Sequence, residues 1–199
     1  MKQNIATLFL IFITTTILFA QEQPILKPEV SVGGKKYTIN DGDTLMIDKK
    51  PIIVKTSPHM TFDFDNLTFD FPRQFAFQAE GATGYKSYTL DGQGFVITYF
   101  VFDVPVEMDV LIKEMVNRFG KKNCVVKAKQ SKLGNIPLNG KWIDVTLIGQ
   151  KLTYDIYNLE SSDGKTRMLS FQDSKNEDGS DSAESLDVLQ IIDRTIKIK

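Results

Sequence analysis

The stretch Lys141-Trp142-Ile143-Asp144-Val145-Thr146-Leu147-Ile148 decides how this chain is read, because Ile143, Val145 and Leu147 recur at every second residue. Period two is the repeat of a pleated strand with one face on a core. Gly149-Gln150 supplies a two-residue hairpin turn, and Lys151 to Leu159 then alternates Leu152, Tyr154 and Ile156 against Thr153, Asp155 and Tyr157. Ser161-Ser162-Asp163-Gly164 reverses the chain again. Lys165 to Phe171 follows, with Arg167, Leu169 and Phe171 on one side and Thr166, Met168 and Ser170 on the other. The spacing predicts a three-stranded meander over 138–173 whose apolar face needs a cover.

Working outward, Phe62 and Phe64 lie on even positions whereas Leu67, Phe69 and Phe71 lie on odd ones, so a bulge or turn is expected at Asp65-Asn66. Pro72 ends that strand, Phe75-Ala76-Phe77 resumes it, and Gly81-Ala82-Thr83-Gly84 reads as a loop. Tyr85 to Leu90 pairs through Asp91-Gly92-Gln93-Gly94 with Phe95 to Phe102, which is apolar on both faces and suits a strand inside a covered sheet. Two covers follow. Pro105 precedes Met108, Leu111, Ile112, Met115, Val116 and Phe119 at helical spacing, closed by Gly120. The second helix is expected to start at Asp181 as cap, with Glu184 reaching back and Leu186, Leu189, Ile192 and Ile196 facing inward. Cys124 to Gln130 adds a further strand between the first helix and the meander.

The N-terminal third is different in kind. Lys2 followed by the apolar run Ile5 to Phe19 and Ala20 reads as a cleaved signal peptide over 1–20, too short to span a bilayer. No cysteine lies near the boundary, so a lipoprotein is not expected. The protein should be exported, to the periplasm or beyond, with no stable membrane insertion after cleavage. An extended lead-in and a β-arm occupy 21–60. Its short apolar pieces are separated by Gly33-Gly34, Asn40-Asp41-Gly42-Asp43 and Asp48-Lys49-Lys50-Pro51. That arm is too small for its own core, and it is expected to add strands to, or pack on, an open sheet edge. Otherwise it would dock on another molecule, so the protein is expected to be a monomer or a dimer.

The run Leu67-Thr68-Phe69-Asp70-Phe71-Pro72, the hairpins, one helix, the meander and a last helix closing in Thr195-Ile196-Lys197-Ile198 together resemble the PsbP-like domain over 61–199. The resemblance lies in the order of elements. It implies an α+β fold, a mostly antiparallel sheet covered by two helices in an α/β/α sandwich. It also implies a binding or assembly role, and carries over no catalytic residue.

Charge and chemistry narrow the function mainly by exclusion. The chain has 24 Lys and Arg against 25 Asp and Glu; without Lys2 that leaves 23 against 25, a net charge near −2 and no footprint for nucleic acid. Cys124 is the single thiol, so no internal disulfide forms, and His59 is the single histidine. A multi-histidine or Cys-His zinc site therefore cannot be assembled, and no cofactor motif is legible. A loop histidine and a small buried thiol are the simpler readings of both residues. Asp173, Glu177, Asp178 and Asp181 crowd one loop that could fold oxygen ligands around calcium, without the EF-hand spacing.

Trp142, Tyr154 and Tyr157 are candidate contact residues, although in a covered sheet such rings are more often core. Asp144 and Asp155 on adjacent strands are the one carboxylate pair that could support acid–base chemistry, provided they converge in a cleft. The expected function is an exported non-enzymatic module that binds a small ligand or a protein. A carboxylate-based hydrolase or lyase and a calcium-dependent surface protein are the rivals.

Overall fold

The computed structural model describes residues 29–199. The signal peptide expected at 1–20, and the lead-in up to residue 28, lie outside the described residues. The chain divides into two compact units at Thr56 and Ser57.

The first unit holds two hairpins. Strands β1 (Glu29–Val32) and β2 (Lys35–Thr38) turn through Gly33-Gly34, and β3 (Thr44–Ile47) and β4 (Lys50–Ile53) through Asp48-Lys49, all four turn residues having positive φ. Between the hairpins, the Asn40 amide donates to the Asp43 carboxylate at 3.0 Å and the Thr56 amide to that of Asp41 at 2.6 Å. Each of these strands pairs only within its own hairpin.

The second unit is built on a seven-stranded antiparallel sheet. Its members are β7 (Ala76–Ala82), β8 (Tyr85–Asp91), β9 (Phe95–Phe102), β10 (Cys124–Leu133), β11 (Ile136–Leu147), β12 (Gln150–Leu159) and β13 (Thr166–Ser174), in the order β10-β11-β12-β13-β9-β8-β7. The doubly apolar β9 sits inside the sheet between β13 and β8, as its sequence demands. A second sheet joins β5 (His59–Phe64), β6 (Leu67–Pro72) and β14 (Lys197–Ile198) in the order β14-β6-β5. The phase change at Asp65-Asn66 is a hairpin turn with Asp65 at φ 53°, and Phe64 pairs with Leu67.

Two helices complete the unit: α1 (Met108–Phe119), closed by Gly120 at φ 87°, and α2 (Ala183–Thr195). Helix α1 sends Met108 and Ile112 into a cluster with Ile143, Val145, Ile156 and Met168 on one face of the large sheet. On the opposite face, Val188 and Ile192 of α2 join Phe62, Leu67, Phe69 and Phe71 of the small sheet in a larger cluster. That cluster also takes in Phe95, Ile97, Tyr99, Leu169 and Phe171.

The expected α/β/α sandwich is therefore corrected. Of the described residues 54% are strand and only 16% helix, and this is a β-rich fold in which the two helices do not form covering layers. The physical reason is that Leu67–Pro72 pairs with β5 and β14 and forms a separate sheet. Burying Phe62, Leu67, Phe69 and Phe71 there removes apolar surface a helical layer would otherwise have to cover.

Two local readings also shift by one residue. The β11–β12 turn is Ile148-Gly149, both at positive φ, with Leu147 paired to Gln150 and Ile148 fully in solvent. The cap of α2 is Ser182, whose hydroxyl accepts from the Ser185 amide at 3.0 Å.

Candidate functional site

The β11–β12 pair that decides the fold also builds a polar cleft. Direct partners in an antiparallel ladder share a face. Trp142 pairs with Asp155 and Asp144 with Thr153, and one strand further on Thr153 pairs with Asp173 and Asp155 with Phe171. Lys151, Thr153 and Asp155 thus stand in a row on the face where Phe95 and Phe171 lie buried. The loop after β13 and the start of α2 close over this row, leaving a cleft of about 400 Å³ walled also by Lys129, Lys175 and Asp181.

Most charges in the cleft are committed to one another. Lys129 donates to Asp155 Oδ2 at 2.7 Å, and Lys175 is held between Asp173, at 2.9 Å, and Asp181. Burial opposes ionisation of Asp173, but hydrogen bonds from Lys175 and the Ser182 hydroxyl outweigh it and hold the carboxyl below its ordinary value. Burial likewise depresses Lys175, and its two carboxylate partners reverse the sign and raise it. Asp155 goes the other way: burial raises its pKa more than Lys129 lowers it.

What remains open defines what the cleft can do. Asp155 Oδ1 is buried without a hydrogen-bond partner among the described residues. Thr153, only 7% exposed, lines the same cleft. Asp144 and Lys151 line the same space without an ion pair. An unpaired buried acceptor costs roughly 1–3 kcal/mol, which a ligand donor would recover.

The structure thus brings Trp142, Asp144 and Asp155 together and separates the two tyrosines from them. Tyr154 projects to the opposite face, 5.5 Å from the Phe119 ring, and burial pushes its hydroxyl up to about 12. Tyr157 shares the cleft's face but lies in the core, edge-on to Phe171 at 6.3 Å, also raised by burial to about 12. Sequence reasoning missed Lys129, Lys151, Thr153 and Lys175. Their signal was the polar row Lys151, Thr153, Asp155, set on a strand face whose next alternate residues, Tyr157 and Leu159, are core.

The acidic loop is explained by the same geometry. Asp173 and Asp181 turn to Lys175, Asp178 accepts from the Ser180 amide at 2.8 Å, and no group of three or more His, Cys, Asp or Glu among the described residues is placed to hold a metal ion. His59 opens β5 on the surface, and Cys124 is half-buried with its thiol pushed up by burial.

A second polar cluster surrounds Arg167, buried on β13. It forms a two-pronged pair with Asp163, both contacts at 2.7 Å, and a further bond to Asp65, which in turn accepts from Tyr99. The Arg167 hydrogen bond is the largest influence holding Asp65 below its ordinary value. These bonds fasten the β5–β6 turn to β13, and Asn66, Ser161, Asp163 and Arg167 also line a recess of about 860 Å³.

No protein-family model matches the chain, and no curated protein matches it either.

Proposed function

We propose that the chain is an exported binding module whose ligand site is the cleft of Trp142, Asp144, Thr153 and Asp155. The observation that carries this reading is the buried, unpartnered Oδ1 of Asp155 among the described residues, in a cleft that Thr153 also lines. A group of that kind is costly unless something completes it. Trp142 is the only tryptophan of the chain, so its emission, excited selectively at long wavelength, reports the cleft alone.

The test is a titration of the full chain with the low-molecular-weight fraction of its native surroundings. Binding predicts a saturable change in Trp142 emission that is lost in Asp155→Asn and Thr153→Val, while the compounds are recovered unchanged. No change in emission or melting temperature would overturn the reading.

A carboxylate-based hydrolase is favoured by one observation, the presence of Asp144 and burial-raised Asp155 on diagonal positions of one cleft. Such positions stand about 7–8 Å apart. Against it, Lys129 bonds the Asp155 carboxylate at 2.7 Å and favours its charged form, opposing the rise that burial causes. Product formation from the same mixture, abolished by Asp144→Asn, would favour the enzyme instead.

A further inference from the structure

Resting on the reading of this cleft as a ligand site, we infer that its ligand is a neutral polyhydroxylated molecule, a saccharide. The groups left open run along two strands as acceptor, hydroxyl and donor. Asp144 and Asp155 Oδ1 accept, Thr153 both donates and accepts, and the Lys151 ammonium donates. Successive residues of one strand face repeat at about 6.6–7 Å, so Lys151, Thr153 and Asp155 offer three contacts over roughly 13–14 Å. A row of hydroxyls, each donor and acceptor at once, satisfies such a mixed series. A single amine or a single carboxylate satisfies one end of it.

Charge points the same way. Four carboxylates, Asp144, Asp155, Asp173 and Asp181, face three ammonium groups, Lys129, Lys151 and Lys175, so an anion meets net repulsion. Among these, Asp155, Asp173 and Asp181 already hold lysines. Of the charges lining the cleft, Asp144 and Lys151 are left outside these ion pairs, and Lys151 also feels the Asp178 carboxylate, which gives a strongly cationic ligand no unmatched pair of carboxylates to settle on. Trp142, over whose ring Lys127 Nζ lies 5.3 Å from the centroid, lines the cleft with aromatic surface on which a sugar ring can pack, and the space of about 400 Å³ suits one or two rings rather than a polymer segment of many.

The experiment follows Trp142 emission and the two-dimensional amide spectrum of the full chain during titration with four sets of probes. These are neutral sugars (glucose, galactose, N-acetylglucosamine and their disaccharides), the zwitterion glycylglycine, the diamine putrescine, and citrate. The inference expects saturable binding confined to the neutral sugars, with amide shifts at Trp142, Asp144, Thr153 and Asp155. Thr153→Val should weaken it by about five-fold or more, and Lys151→Ala by a similar factor, as expected for lost hydrogen bonds. A pull-down with insoluble polysaccharides separates the two sources: retention there as well assigns chain ends, and its absence assigns free sugars.

Saturable binding of glycylglycine, putrescine or citrate at these residues, with none of the sugars, overturns the saccharide inference and leaves the binding-module reading standing. Failure of every probe and of the native fraction overturns both. Should Thr153→Val not fold, the shift map on the unaltered chain and Lys151→Ala decide the matter.

Discussion

At the scale of single residues, the cleft and the Arg167 cluster show opposite uses of buried polarity. Arg167 is satisfied on all sides, and its side chain is 5% exposed. Arg167→Ala strands Asp65 and leaves Tyr99 with a charged neighbour in the core, so a loss of about 3–5 kcal/mol is expected in urea unfolding. A loss under about 1 kcal/mol would mean that water already reaches the pair.

The acidic residues also set the pH response. Asp65 and Asp173 titrate below the ordinary 3.8 when folded, so their stabilisation is complete above that value and is lost as pH falls through the folded pKa. Asp155 is raised, so its contribution is present below 3.8 and lost as pH rises through its folded value. Urea titrations of Asp65→Asn should therefore show a flatter acid limb than the unaltered chain. Asp155→Asn should gain relative stability as pH rises above 3.8 and through the raised folded value of Asp155. A parallel pair of curves would contradict these assignments. A further residue is decided by space alone: a Cβ on Gly140 would lie 1.9 Å from the Ile156 carbonyl oxygen. Gly140→Ala is expected to cost about 3 kcal/mol, and a neutral result would show that β11 and β12 can part there.

At the scale of elements, α2 is the sharpest test of register. Leu186 was expected to face inward but is 55% exposed, whereas Ser185, Val188 and Ile192 are buried. Moving the cap from Asp181 to Ser182 gives the reason: Asp181 is occupied by Lys175, and Glu184 accepts the Gly94 amide at 2.6 Å and the Phe95 amide at 2.9 Å rather than reaching back to a cap. Leu186→Gln should change stability by less than about 0.5 kcal/mol, and Ile192→Ala should cost roughly 2–5 kcal/mol, both by thermal denaturation. The reverse order would restore the inward Leu186.

Strands were legible because alternation is local: β9, β11, β12 and β13 follow from period two alone. Which strands share a sheet was not legible. The pairing of Lys197 with Thr68 and of Ile198 with Leu67 joins residues far apart in sequence, and nothing in either dipeptide announces it. The cleft was half legible for the same reason. Trp142, Asp144 and Asp155 lie on adjacent strands and could be placed together, but Lys129, Lys175 and the closing loop arrive from elsewhere in the chain.

At the scale of the whole molecule, both hydrophobic clusters and the cleft belong to the unit from Ser57 to Lys199. Removal of 21–56 should therefore leave the unfolding transition of that unit and its Trp142 response intact. A truncated chain that no longer folds would show that the arm is needed for the core. The central claim is that this cleft is a ligand site. It is tested most directly by the single indole N–H resonance of Trp142 in the amide spectrum of the full chain, recorded with and without the neutral sugar panel. The account predicts a saturable shift of that peak, accompanied by Asp144, Thr153 and Asp155 and absent from the residues beside Tyr154 on the opposite face. A Trp142 peak that stays fixed while residues around Tyr154 and Phe119 move would place the site under α1 and contradict it.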